Sequence, residues 1–279
     1  MGNPAYIVTG ANAGIGKAIA QGLAERGLRV IILCRNPEKG ARALDEIRTA
    51  ANNASVELVI GDLSSSGKVR SVAERLLDRV SEIGVLINNA GVWPTRLEHN
   101  EDGIEISFAV NHLAPFLLAH LILERLKENG SGRIVNVSAS LSAMGKIDLR
   151  KLPTGEDFSP FRTYANTKLC NVLFTREFAR RSKGSGVTIN AVYPGVVRSN
   201  LVSNVSGLLG LFLRLGELTG KSPAQGAEGP TYLATSNEVS SVTGSFFDGR
   251  IEVPYAKNAL DDGLAAQLWE KSEILTRLR

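Results

Sequence analysis

Several residue types are scarce in this chain, and each scarcity excludes something. Two cysteines in 279 residues cannot form a disulfide framework. Cys34 and Cys170 both lie in apolar stretches, where free cysteines are ordinarily buried thiols. The three histidines, His99, His112 and His120, share no ligand spacing with them, so no metal is expected. Charge of neither sign dominates: 32 basic against 28 acidic residues leave a net +4. No Lys/Arg cluster forms a nucleic-acid footprint, and nucleic-acid binding is not expected. No run approaches the roughly 20 apolar residues that span a bilayer. Residues 1–4 lead straight into a first strand, too short a stretch for a signal peptide. A reducing, cytoplasmic setting is the expectation.

What is present is an ordinary soluble balance, 43% hydrophobic and 22% charged. Strand-like and helix-like patterns alternate from the start. Strands are expected at Ala5–Thr9, 29–34, Val56–Ile60, 85–87, 133–138 and 187–193. Helices are expected at 15–26, 38–50, 69–80, 101–127, 163–181 and 264–278. The stretch 140–161, rich in Gly, Pro, Ser and charge, reads as the loosest region. Continuous apolar strands alternating with helices imply an α/β fold: a doubly wound parallel sheet of about seven strands, with helices on both faces. No linker or repeat divides it, so one domain over residues 1–279 is expected.

Between the first strand and first helix lies Thr9-Gly10-Ala11-Asn12-Ala13-Gly14-Ile15-Gly16. Glycines here permit a tight turn and close backbone approach to a pyrophosphate, and the helix N-terminus adds N–H groups and a positive dipole end. The spacing Gly-x3-Gly-x-Gly differs from the dinucleotide fingerprint Gly-x-Gly-x2-Gly. It resembles the Thr-Gly-x3-Gly-Ile-Gly loop of the short-chain dehydrogenase/reductase family. The resemblance implies a Rossmann-like fold, and a nicotinamide cofactor held by Gly10, Asn12, Ala13, Gly14, Ile15 and Gly16.

Later stations agree. The second strand ends Leu33-Cys34-Arg35-Asn36 without the acidic residue that would bind a ribose diol. Arg35 there can face a 2′-phosphate, with Lys17 adding charge, so NADP(H) is the expected cofactor. The alternative is that Arg35 is a solvated loop cation. Asp62-Leu63 resembles the family's adenine-binding pair. Asn89, Ala90 and Gly91, with Asn88, resemble its Asn-Asn-Ala-Gly signature, whose role is partly structural. Pro194, Gly195, Val197 and Ser199 resemble its Pro-Gly motif beside the nicotinamide carboxamide.

Tyr164 and Lys168 stand at i and i+4, on one face of a helix. A free tyrosine titrates near pH 10, and a fixed cation beside it favours the phenolate. Tyr164 can then exchange a proton with a carbonyl or alcohol oxygen while a hydride moves. In the family the lysine also holds the nicotinamide ribose. Asn111 matches the family's helix asparagine, which kinks its helix and holds a proton-relaying water. It is equally a polar helix residue bonded to a backbone carbonyl.

The sequence departs from the pattern at one place. In Asn136-Val137-Ser138-Ala139-Ser140 a gapless match puts Ala139 where the family's catalytic serine stands. Strand alternation turns 138 and 140 away from the side that 139 faces. Ser138 is the expected catalytic hydroxyl and Ala139 and Ser140 the expected substrate contacts, a bulge being needed to deliver either serine. A natural or engineered alanine with weak activity is the alternative, and with it an NADP-binding protein with little or no catalysis.

Residues 88–92, 110–118, 168–177 and 194–199 resemble more narrowly the retinol dehydrogenase-like branch, which implies a lipophilic aldehyde, ketone or alcohol as substrate. The apolar stretch 201–218 follows the Pro-Gly motif, so a substrate lid is expected over 200–222. A dimer contact and a membrane-surface helix are the alternatives. The family implies a homo-oligomer.

Overall fold

The computed structural model describes residues 3–128, 130–197 and 220–278. The first half alternates strand and helix: β1 (Ala5–Thr9), α1 (Gly14–Ala24), β2 (Val30–Cys34), α2 (Pro37–Ala51), β3 (Val56–Ile60), α3 (Ser66–Arg79) and β4 (Ile83–Asn88). A broken helical run follows: α4 (Ile106–Phe108), a π turn (Ala109–Leu113), α5 (Ala114–Leu121) and α6 (Leu123–Glu128). Then come β5 (Arg133–Val137), α7 (Pro160–Arg181), β6 (Thr188–Tyr193), α8 (Pro223–Thr235), β7 (Phe246–Asp248), β8 (Ile251–Val253) and α9 (Asp262–Leu275).

The strands form one sheet in the order β3-β2-β1-β4-β5-β6-β7-β8. Seven are parallel, as expected, and the short β8 adds an antiparallel edge on β7. Strands β2 and β4 are buried at every residue, because helices cover both faces of the sheet. One face packs on α3, α5 and α7 through Leu76, Phe116, Phe174 and Phe178. The other packs on α1, α2 and α8 through Ile19, Leu23, Ile47 and Leu233. Chain order runs outward in both directions from β1 and β4. A crevice therefore opens beyond their C-terminal ends, where open α/β sheets bind ligands.

Local chemistry sets the boundaries. Asn36 caps α2, accepting from the Lys39 N–H at 2.7 Å, and Pro37 fits the first turn. The helix expected over 101–127 begins only at Ile106 and is not continuous. Asn100 Oδ1 accepts from the Asp102 and Ile104 N–H groups, and Gly103 takes φ 72°, so the chain turns there. Buried Glu105 then caps the helix through the N–H groups of Ser107 and Phe108. Neither α8, β7 nor β8 is among the expected elements. The lid expected over 200–222 lies outside the described residues up to 219; Ser222 forms a capping box with Gln225 at the start of α8.

Candidate active site

The glycine turn after β1 packs against the segment after β4. A Cβ on Gly10 would lie 2.9 Å from the Ala90 Cα, and one on Gly16 would lie 2.3 Å from the Asn89 Nδ2. No side chain larger than hydrogen fits either place. Asn89 Nδ2 donates to the Thr9 carbonyl at 2.8 Å, while Thr9 Oγ1 accepts from the N–H groups of Asn89 and Ala90. Asn89 and Ala90 thus brace the turn. Asn88 donates to Asn136 at 2.9 Å, and Asn136 to Thr175 of α7 at 2.9 Å, a chain of buried amides that ties β4 through β5 to α7.

The turn suits an anion. Gly14 has φ 56°, and a Cβ there would meet nothing within 4 Å. Ala13, the N-cap of α1, gives no side-chain cap, and the first turn carries no acid. The first N–H groups of α1 thus have no side-chain cap, the arrangement of an anion-binding helix start. Val197 and Ile15 meet here too: a Cβ on Gly226 of α8 would lie 2.5 Å from Val197 and 3.5 Å from Ile15. Gly195, at φ 93°, turns the chain against Lys221, so the Pro194–Val197 segment returns to the glycine turn. Ser199 lies outside the described residues.

At the adenosine end, Arg35 is exposed and makes no hydrogen bond or ion pair among the described residues. Lys17 instead pairs with Glu46 of α2, which occupies its charge. Asn36 spends its side-chain oxygen on the helix cap. Asp62 accepts from the Ser64 N–H and hydroxyl, and Lys68 lies 3.1 Å away. Burial opposes its ionisation, but those partners prevail and hold the carboxyl below its ordinary range. Leu63 packs against the core below.

Tyr164, Lys168 and Asn111 stand near the ends of β4 and β5. Lys168 Nζ donates to the Val137 carbonyl at 3.0 Å and lies 5.6 Å from the centre of the Tyr164 ring. A Cβ on Gly91 would lie 3.3 Å from Asn111 Oδ1 and 3.7 Å from Lys168 Nζ, so glycine leaves room for both. Asn111 sits in the π turn, a distortion that recurs at functional sites. Its amide exchanges bonds with the Val92 backbone, accepting at 2.8 Å and donating at 3.0 Å, and also donates to Thr167 Oγ1 at 3.1 Å. Asn111 is thus bonded to backbone and also stands in a distorted helix turn, so the geometry does not set its two readings against each other.

Burial pushes the Tyr164 phenol up and the Lys168 ammonium down to about 8. Burial alone sets the direction for Tyr164, opposite to the lowering that its pairing with a lysine led one to expect.

The serines require a second correction. Ala139 keeps extended backbone (φ −148°, ψ 155°), so no bulge interrupts the alternation. Ser138 turns toward α7 and donates to the Lys168 carbonyl at 3.1 Å, a placement that does not suit it to polarise a substrate. Ser140 is exposed at the start of a short 3₁₀ turn. Ala139 faces the phenol side, packing with Leu141 and Phe161 around Trp93 and Tyr164. The site residue that the sequence reading missed is Trp93, stacked on Tyr164 with ring centres 4.1 Å apart and planes within 2°. Its one signal was position, two residues beyond the Asn-Asn-Ala-Gly segment.

A family model described as short chain dehydrogenase matches residues 4–207. The chain belongs to the short-chain dehydrogenase family. Retinol dehydrogenase 12 of Mus musculus is 41% identical over 266 residues, spanning 95% of this chain and 84% of the relative. Retinol dehydrogenase 13 of Homo sapiens is 40% identical over 278 residues, spanning 98% and 84%. An uncharacterised protein from Mycobacterium paratuberculosis, solved by crystallography, superposes with a TM-score of 0.79 at 32% identity, spanning 98% of this chain and 93% of that one. Levodione reductase superposes at 0.71 with 21% identity, spanning 95% and 98%, which speaks for the fold alone. The chain is thus retinol dehydrogenase-like, an oxidoreductase of alcohol and carbonyl groups in a family that uses NAD(P)(H). No described helix is long and apolar enough to cross a membrane, and no described cluster of His, Cys, Asp and Glu could hold a metal.

Proposed function

We propose that this family member is an NADP(H)-dependent oxidoreductase interconverting a lipophilic aldehyde or ketone and its alcohol, with the whole chain acting as one catalytic domain. The convergence of Tyr164, Lys168 and Asn111 around Gly91, in the crevice that the glycine turn also borders, carries this reading. Gly10, Gly14, Gly16 and the uncapped start of α1 would hold the diphosphate, Asn89 and Ala90 bracing them. Pro194–Val197 would flank the nicotinamide, and Asp62 with Leu63 the adenine. Bound there, the cofactor supplies or accepts the hydride.

The chain's own groups do the rest. Tyr164 holds its proton at neutral pH, because burial raises its phenol, and so it can donate to a carbonyl oxygen. Lys168 fixes the end of β5 and places a cation beside the phenol. Asn111 holds the Val92 backbone, and with it the strand exit that carries Gly91 and Trp93. The apolar walls, Trp93, Phe161 and Leu141, favour a greasy substrate and exclude water. The name of the relatives, retinol dehydrogenase, supports the same class.

Arg35 supports NADP(H) over NAD(H): it is exposed at the end of β2, where no acid stands. A charge-assisted hydrogen bond contributes about 1.5–3 kcal/mol. Arg35→Ala should therefore weaken NADPH binding by about tenfold to a hundredfold and leave NADH unchanged, measured by calorimetric titration. Equal losses for both cofactors would refute the assignment. A second reading, a cofactor-binding protein with little catalysis, draws on the absence of a hydroxyl at Ala139. NADPH binding without turnover across a panel of aldehydes would favour it.

A further inference from the structure

The Trp93 indole N–H is buried and has no hydrogen-bond partner among the described residues. The residue is 7% exposed. Buried N–H groups in native proteins nearly always find partners, and an orphan calls for an explanation. Trp269, the other tryptophan, conforms: its N–H donates to Glu273 at 2.9 Å. Trp93 is parallel to Tyr164 with ring centres 4.1 Å apart. Ala139 packs against this pair and offers no hydroxyl. The phenol thus has a donor-poor neighbour on one side and, stacked on its face, an indole whose N–H is unsatisfied.

We propose that the Trp93 Nε1–H is the second hydrogen-bond donor to the substrate's carbonyl oxygen, beside the Tyr164 hydroxyl, in place of the hydroxyl absent at Ala139. This inference rests on the hydride-transfer reading above. In the reduction the carbonyl carbon gains a hydride and the C=O π pair moves onto oxygen. That oxygen takes the Tyr164 phenol proton. The reductant, a reduced nicotinamide dinucleotide, loses two electrons. Trp93 keeps its proton throughout and stabilises the negative charge that develops on oxygen. The aromatic walls Trp93, Tyr164 and Phe161 also favour a planar carbonyl compound, conjugated or aromatic.

The chain holds two tryptophans, so indole ¹⁵N–¹H spectra contain two side-chain signals, and Trp93→Phe identifies one of them. The test uses the full chain with NADP⁺ and cinnamamide, a planar carbonyl compound that is not reduced. The Trp93 signal should begin at the shift of an unbonded indole N–H and move downfield as cinnamamide saturates, while the Trp269 signal stays in place. In turnover, Trp93→Phe keeps the stack but loses the donor. It should lower kcat for cinnamaldehyde by about 10²–10³-fold, as loss of one oxyanion donor does. Adding Ala139→Ser to that variant should recover at least about tenfold of the loss. A Trp93 signal unmoved at saturating cinnamamide, or Trp93→Phe turning over within about twofold of the parent, would overturn the proposal while leaving the hydride-transfer reading intact. A parent protein that binds NADPH and reduces no carbonyl compound would overturn both.

Discussion

At the reacting centre one cause acts on two residues in opposite directions. Burial disfavours the charged form of each, raising the Tyr164 phenol and lowering the Lys168 ammonium to about 8. The sign for activity follows. On the proposed mechanism Lys168 is protonated below pH 8, and its cation would stabilise phenolate as Tyr164 gives up its proton. Above pH 8 the cation disappears while Tyr164 is still protonated, so reduction loses its electrostatic support. The profile of kcat/KM for carbonyl reduction should be flat below about pH 7 and fall through an inflection near 8. Lys168→Arg keeps the charge at every accessible pH, so whatever rate it retains should show no fall between pH 7 and 9. An unchanged inflection in that variant would assign the titration elsewhere. The thiols do not compete in this range: burial pushes Cys34 up to about 11 and Cys170 also upward, so neither forms thiolate near neutrality.

Among the elements, α8 shows how packing can require residues that obscure a helix in sequence. It carries Gly226, Gly229 and Pro230 inside thirteen residues, and helix propensity argues against it. The glycines are there because neighbours come close, the Val197 side chain at Gly226 and backbone at Gly229. A Cβ on Gly229 would lie 2.5 Å from the Gly249 carbonyl oxygen of the β7–β8 hairpin. Gly229→Ala gains about 1 kcal/mol of helix propensity but overpacks against a fixed backbone oxygen, at about 1–3 kcal/mol. The clash should prevail and lower the melting temperature by a few degrees. Gly67→Ala in α3, where a Cβ would meet nothing within 4 Å, should leave it unchanged or raise it. The same contrast explains what the sequence displayed. β1 to β4 and α7 carry continuous apolar runs or full helical faces, and their types were legible to within a few residues. The glycine turn, Asn111, Tyr164 and Lys168 were legible because their spacing survives in the chain. The π turn was legible only as the kink that the family resemblance implies at Asn111, since the apolar pattern alone reads one unbroken helix. The Trp93 stack was not, since it joins residues 71 positions apart through the sheet.

Across the molecule, the crevice owes its shape to what packs behind it. The site's three polar groups hang from two elements, the π turn and α7, and the outer faces of α5 and α7 are covered by α9. Trp269 of α9 is the centre of that contact. It lies edge-on to Phe116 at 5.1 Å, near Phe174 and Phe178, with the Arg181 guanidinium 4.6 Å above its ring. Arg70 of α3 anchors the following turn, donating to the carbonyls of Thr276 and Arg277 at 2.8 and 2.9 Å. Trp269→Ala removes a buried aromatic body and leaves a cavity against three phenylalanines, a change that costs about 3–5 kcal/mol. On the scale of about 2–4 °C per kcal/mol, melting should drop by roughly 6–20 °C in calorimetry. The consequence for the site depends on whether α7 is held in place by α9 or by the sheet. The buried chain Asn88–Asn136–Thr175 and the Lys168–Val137 bond attach α7 to the sheet from inside, independently of Trp269. NADPH affinity of the folded Trp269→Ala protein at 20 °C should therefore match the parent's within about threefold, under the roughly 0.6 kcal/mol that such a ratio represents. A larger loss of affinity would mean that the C-terminal helix, and not the amide network, sets the position of Tyr164 and Lys168.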